Sequence, residues 1–279
     1  MSNLKLIINT ASTYKGGGVQ AASSFIEECK KYDEHEYHII RGEMLSGLID
    51  RDAFPDNFSF YDIGYRPATR IFSFKSRDDF FKKLEARIKP DVVFTTSGPA
   101  YWRPTAPHLV GYNLPHYIYQ DSPFFNQIPF KTKVKWRLKG RALKFFFKRE
   151  AEAYVVQTND VNKRLQKWLR SEEVYTVSNT YNHHYTNCVK AVNKLPEKET
   201  DEFRFLTLSA WYTHKNLKII PKVIEALPQE FKKKIRFVLT LPPATFEKYF
   251  TSKVKDFITN VGPVKPAEGP ALYNECDAL

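Results

Sequence analysis

The run Leu4-Lys5-Leu6-Ile7-Ile8, followed after a short polar stretch by Gly16-Gly17-Gly18-Val19, decides how the chain is read. A short apolar run bounded by polar residues reads as a buried strand. Val19, Ala22, Ile26 and Cys29 then recur at spacings of three and four, which is one face of a helix. Strand, glycine turn and helix open a parallel α/β domain, and they place the glycines at the carboxyl end of a strand, where ligands bind. Missing side chains let backbone N–H groups approach a phosphate, and the helix N-terminus favours negative charge. The spacing is not Gly-x-Gly-x-x-Gly, so a dinucleotide fits less well. A plain tight turn explains the three glycines equally well, and both readings stay open.

The alternation continues outward. Tyr37–Ile40 and Phe58–Ile63 read as strands. Phe80, Phe81, Leu84 and Ile88 line a helix that Pro90 ends. Asp91–Thr95 and His108–Gly111 are strands, followed by a long basic helix from about Thr132 to Glu150. The strand Ala153–Gln157, a helix with Val161, Leu165 and Trp168 on one face, and the strand Val174–Val177 complete a first block. Lys190–Glu202 is polar, contains Pro196, and reads as linker or loop. Then the pattern restarts: strand Phe203–Leu208, a helix face Leu217, Ile220, Ile224, Leu227, strand Arg236–Leu241, helix Pro243–Lys255, strand Ile258–Val261 and a short helix near Ala267–Cys276. Three strands make a poor doubly wound sheet, and Cys276-Asp277-Ala278-Leu279 reads as the approach to a fourth. The expectation is an α/β chain of two Rossmann-like parallel-sheet domains, 1–180 and 181–279, the second incomplete.

Composition bounds the function. The 279 residues, 42% hydrophobic and 27% charged, suit a globular core. A net charge of +12 and a pI near 9.4 point to phosphorylated small molecules, an anionic membrane or nucleic acid. No helix-turn-helix, zinc or RNP pattern supports nucleic acid. Cys29, Cys188 and Cys276 are odd in number and far apart, so neither a disulfide framework nor a zinc site is readable. Together with the lack of a secretory pattern or of a span of roughly 20 apolar residues, this predicts a cytoplasmic protein, with room for peripheral attachment to the inner face of the membrane.

Four more segments carry chemistry. Thr95-Thr96-Ser97-Gly98-Pro99, followed by Tyr101 and Trp102, ends a strand and suits a cleft floor, or a plain proline-rich loop. Gly111-Tyr112-Asn113-Leu114-Pro115-His116-Tyr117 also follows a strand. His116 there can donate to a sugar or phosphate oxygen, although a lone histidine is more often structural. Ser209–Leu217 follows the first strand of the second block. Lys215 opposes the dipole of the next helix and therefore wants an anion, such as a diphosphate, nearby. Lys131–Arg149 holds six Lys, three Arg and no acid, interleaved with Trp136, Phe145, Phe146 and Phe147. It reads as an anionic-surface element, or as a helix whose aromatics face the core. Asp50-Arg51-Asp52 has the Asp-x-Asp form of a metal motif but lies away from any strand end.

Together these segments resemble the retaining GT-B glycosyltransferases of family 4. The resemblance runs almost end to end. It sharpens at Tyr154–Val161, at Val177-Ser178-Asn179-Thr180, at Phe205–Leu208 with His214-Lys215-Asn216-Leu217, and at Val261-Gly262-Pro263-Val264 with Leu272–Ala278. It implies two Rossmann-like domains with a nucleotide-sugar donor in the cleft between them. Gly16, Gly17, Gly18 and Lys215 would face the donor diphosphate, Val261 and Gly262 the nucleobase, and His116 the transferred sugar. Ser97, Gly98, Tyr101 and Trp102 would lie on the acceptor side. The acceptor class would be a glycan or a lipid-linked molecule, as in polysaccharide or lipopolysaccharide biosynthesis. No metal or other cofactor is expected, because cationic side chains and helix dipoles stabilise the leaving nucleoside diphosphate. Two departures stand out. The family's arginine five residues before the lysine is here Ala210. The family's Glu-x7-Glu motif would follow Leu279, so the chain as given is expected to be inactive, with no catalytic residue beyond His116 to name. A basic nucleic-acid-binding protein and a non-catalytic interaction protein on a transferase scaffold are the alternatives.

Overall fold

The computed structural model describes residues 3–14, 16–70, 74–181, 185, 194–212, 215–232 and 234–279. His214 of the lysine-bearing segment, Cys188, and residues 190–193 of the expected linker lie outside the described residues. The chain divides into two compact units, Met1–Asn182 and His183–Leu279.

In the first unit the opening apolar run forms β1 (Lys5–Asn9). It is followed by α1 (Gly17–Glu28), β2 (Glu36–Gly42), α2 (Glu43–Ser46), β3 (Phe58–Ile63), α3 (Phe74–Ile88) and β4 (Val92–Thr95). Then come β5 (His108–Gly111), α4 (Phe130–Glu150), β6 (Ala153–Val156), α5 (Asn159–Leu169) and β7 (Val174–Thr176). The strands form one parallel sheet in the order β3-β2-β1-β4-β5-β6-β7. Successive strand residues point to opposite faces. Ile8 and Ile39 therefore join Val19, Ala22 and Ile26 of α1. Ile7 and Ile40 join Phe81, Leu84 and Ile88 of α3 on the other face. A third cluster seats Leu143 and Phe147 of α4 and Leu165 and Leu169 of α5 on Val110, Tyr154 and Val156. Burial on both faces is what a parallel sheet requires.

The second unit holds β8 (Phe203–Thr207), α6 (Ile219–Ala226), α7 (Gln229–Lys232), β9 (Ile235–Leu239), α8 (Pro243–Tyr249), α9 (Ser252–Lys255), β10 (Ile258–Asn260) and α10 (Gly269–Asn274). Its parallel sheet runs β10-β9-β8. On the free side of β8, Ala278 forms a parallel bridge with Phe205, and Leu206 N donates to Ala278 O at 2.7 Å. The winding is thus that of the first four strands of the other sheet. Leu217, Ile220, Ile224, Phe237 and Phe250 pack on one face, and Leu195, Leu206, Val238 and Leu272 on the other.

Two elements differ from their sequence reading. Pro243–Lys255 is two helices, because Phe250 takes an extended conformation (φ −117°, ψ 121°) that buries its ring among Leu217, Phe246 and Val254. The described part of the expected linker is loop but is tied down. Lys194 N and Leu195 N donate to the Glu275 carboxylate at 3.0 and 2.8 Å, and Pro196 O accepts from Arg204 at 2.9 Å.

Candidate functional site

Strand order reverses between β1 and β4, so their carboxyl ends frame a crevice in the first unit, the usual ligand position in open α/β sheets. Small polar residues cluster there, with Asn9 and Thr95 fully buried beneath the others. Asn9 Nδ2 donates to Thr95 Oγ1 at 3.2 Å, Thr13 and Thr96 share a hydroxyl contact at 3.2 Å, and Ser12 Oγ donates to Pro99 O at 2.9 Å. Asn113, two residues past β5, donates to Ser97 Oγ at 2.6 Å.

The glycines of this site have distinct reasons. Gly16 has φ 66° and ψ −151°, a backbone that disfavours side chains. A methyl on Gly18 would press on Asn113 Nδ2 at 3.3 Å and Ser97 Oγ at 3.4 Å, so α1 starts directly against the polar crevice. Gly17 has open space around it. Among the described residues no side chain caps α1, and no acid sits in its first turn to meet the positive end of its dipole.

The other expected residues of this unit fall into two groups. Gly98 and Trp102 face the core. Gly98 lies under Val110 and the Phe147 ring, and Trp102, 1% exposed, stacks on Phe81 at 4.9 Å. Tyr101 is also buried; its ring meets Phe146 edge-on at 5.0 Å and its N–H donates to Glu150 Oε2 at 2.8 Å. These three residues anchor the loop that presents Ser97. His116 sits in a turn at Pro115–Tyr117, half-buried, with its ring against Trp136 at 5.3 Å and Phe124 at 6.1 Å.

In the second unit, Lys215, Val261 and Gly262 all lie past carboxyl ends of strands. Lys215 is exposed, and its N–H donates to Tyr212 O at 3.0 Å. It stands four residues before α6, in the connecting turn rather than in the helix. Val261 N extends the sheet by donating to Leu239 O at 2.9 Å. Gly262 turns the chain with φ 76° and leaves open space where a side chain would stand. Between them Ser209 N donates to Thr240 Oγ1 at 3.1 Å, and Asn260 brackets the Leu241 backbone with two 2.9 Å hydrogen bonds. Trp211 stacks flat on Tyr249 at 3.9 Å and fixes the far side of the turn. Lys215 thus follows strand β8, which lies between β9 and the Ala278 bridge.

Residue reading singled out Ser97 and His116 but passed over Asn113 and Thr13 as site residues. The available signal was positional: each polar side chain follows a strand by only a few residues.

No protein-family model and no curated protein matches this chain. Solved structures do match its fold. WaaG, a glycosyltransferase involved in lipopolysaccharide biosynthesis, superposes with a TM-score of 0.63 at 11% identity, covering 98% of this chain and 73% of WaaG. MnaA from S. aureus, solved with UDP, gives 0.57 at 13% identity over 99% of this chain and 73% of MnaA. A UDP-N-acetylglucosamine 2-epimerase from Rickettsia bellii gives 0.50 at 12% identity over 97% and 71%. At these identities the likeness is one of fold: this chain has the α/β, Rossmann-like architecture of the GT-B class.

Proposed function

We propose that the chain belongs to a glycosyltransferase that moves a sugar from a nucleotide-sugar donor to a glycan or lipid-linked acceptor, as in polysaccharide biosynthesis. The observation that carries the reading is the start of α1. Among the described residues its N-terminus has no side-chain cap and no acid in its first turn, and it begins with glycines beside the switch point of the sheet. Such an end suits an anion. In this reading Gly16, Gly17, Gly18 and Lys215 bind the donor diphosphate, Val261 and Gly262 flank the nucleobase, and His116 faces the transferred sugar. The loop carrying Ser97, Gly98, Tyr101 and Trp102 shapes the acceptor side, with Ser97 and Asn113 as its polar atoms. The chemistry is retaining, as in family 4, and needs no metal: Lys215 and backbone N–H groups meet the charge that develops on the departing diphosphate. Occurrence of the fold in a UDP-N-acetylglucosamine 2-epimerase favours epimerisation as the second reading.

Calorimetry with UDP, GDP and ADP, each beside its nucleoside, tests the donor site. Lys215→Ala should weaken the diphosphate by about ten- to a hundredfold, the worth of one charge-assisted contact, and leave the nucleoside unchanged. Equal diphosphate affinity in wild type and variant would remove Lys215 from the site. Product analysis with a bound nucleotide sugar separates transfer from epimerisation.

A further inference from the structure

Helix α4 has two apolar faces, and the core uses one. Leu143, Phe146 and Phe147 are buried, and Trp136 packs on His116 and Tyr117. On the other side Phe130 is 75% exposed, Val134 38%, Leu138 58% and Phe145 60%. Their spacings of four, four and seven set them along one stripe of the helix. The six lysines and three arginines of Lys131–Arg149 are interleaved with this stripe, and no acid occurs before Glu150. Among the described residues Arg149 alone of the nine has a carboxylate within ion-pair reach, that of Glu150 at 2.8 Å. The ammonium of Lys144 is held below its ordinary pKa, first by partial burial and then by Arg170 and Lys148, so the surrounding field is positive.

We infer that this face of α4 lies on an anionic lipid surface, with the helix axis in the plane of the bilayer and the stripe Phe130, Val134, Leu138 and Phe145 sunk among the headgroups. Charge complementarity and depth choose this occupant. A soluble polyanion would satisfy the cations but leave four large apolar side chains in water. A bilayer offers phosphates at one level and acyl chains just below, along the whole length of about 31 Å that 21 residues span. Among the described residues no helix is long and apolar enough to cross a membrane, so the contact is in-plane.

The test is co-sedimentation of the whole chain with phosphatidylcholine vesicles, with and without phosphatidylglycerol, beside retention on heparin. Wild type should pellet with the anionic vesicles, not the neutral ones, and be released by salt. Phe130→Ser/Leu138→Ser/Phe145→Ser should lower vesicle partitioning by about tenfold or more while heparin retention stays unchanged. Lys135→Gln/Arg137→Gln/Lys139→Gln should lower partitioning by about fivefold per cation removed and also weaken heparin retention. These positions are exposed, circular dichroism reports whether each variant is folded, and Leu138→Ser alone provides a milder probe. Wild-type binding to neutral vesicles as strong as to anionic ones, no binding at low salt, or full vesicle binding by the stripe variants would overturn the inference. The last result would leave α4 a binder of soluble polyanions or of an acidic protein.

Discussion

His108, 2% exposed, occupies a buried polar relay. Asn9 Nδ2 donates to Thr95 Oγ1, Thr95 Oγ1–H donates to His108 Nε2 at 2.8 Å, and His108 Nδ1–H donates to Glu150 O at 2.6 Å. The carbonyl can only accept, which fixes the neutral tautomer. Burial lowers the His108 pKa to about 4. The unfolded chain, titrating near 6.5, therefore takes up a proton that the folded chain refuses, so stability is full above the unfolded pKa and falls as pH drops toward 4. Between pH 7 and pH 5 the loss should be about 2 kcal/mol. Urea midpoints at the two pH values measure it together with the like-signed step of His38, whose pKa burial also lowers, and His108→Asn, less stable at pH 7, should show a flatter profile than wild type. The depressed carboxylates Asp121, Asp160 and Asp277 act only at lower pH and do not mimic this step. Sequence did not reveal this histidine, because nothing local distinguishes a strand-opening His that faces a carbonyl from one that faces water. His116 drew notice from its proline and tyrosines, yet which rings pack on it depends on a helix that begins fourteen residues later.

At the scale of elements, the exit of β4 and the strand β5 meet backbone to backbone, with the Phe147 ring of α4 packed over them. Gly98 N donates to Gly111 O at 2.9 Å. A methyl on Gly98 would overlap Val110 and stand 2.6 Å from Phe147 Cε1, and one on Gly111 would overlap the Thr96 carbonyl. Gly98→Ala should therefore cost about 1–3 kcal/mol, and Gly111→Ala more, since a carbonyl has no rotamer to retreat into. Unchanged urea midpoints would mean that Val110 and Phe147 have slack. Most elements were legible because apolar spacing is a local property: β3 and β5 match the residue reading end to end. The break at Phe250 was not, because it is driven by a pocket formed from Leu217, Phe246 and Val254, residues up to a helix and a strand away. For α4 the core-facing reading of its aromatics holds in part. Phe146 and Phe147 serve the core and Phe145 does not, a division that needs the helix placed on its sheet.

Across the whole molecule, the hydrophobic clusters of the described residues form within each unit: three in Met1–Asn182 and two in His183–Leu279. Unfolding should accordingly show two transitions, with Ile39→Ala moving one and Val238→Ala the other by about 2–4 kcal/mol each. A single transition shifted alike by both would mean that the units unfold as one. The two-block organisation was legible from the restart of strand-helix alternation at Phe203, and the polar crevice from hydroxyls just past strand ends. The partnership of Asn113 with Ser97 was not, since it joins loops from neighbouring strands. The shared winding has a consequence for the nascent chain. β1 is made first, yet its second side waits for β4, whose residues lie 86 positions later along the register. β8 likewise waits for Ala278. In the second unit β8 is thus the first strand made and the last to be flanked on both sides, while in the first a ribosome that pauses between residues 40 and 90 displays the unpaired edge of β1 with Ile7 and Ile8, open to chaperones or to a neighbouring copy.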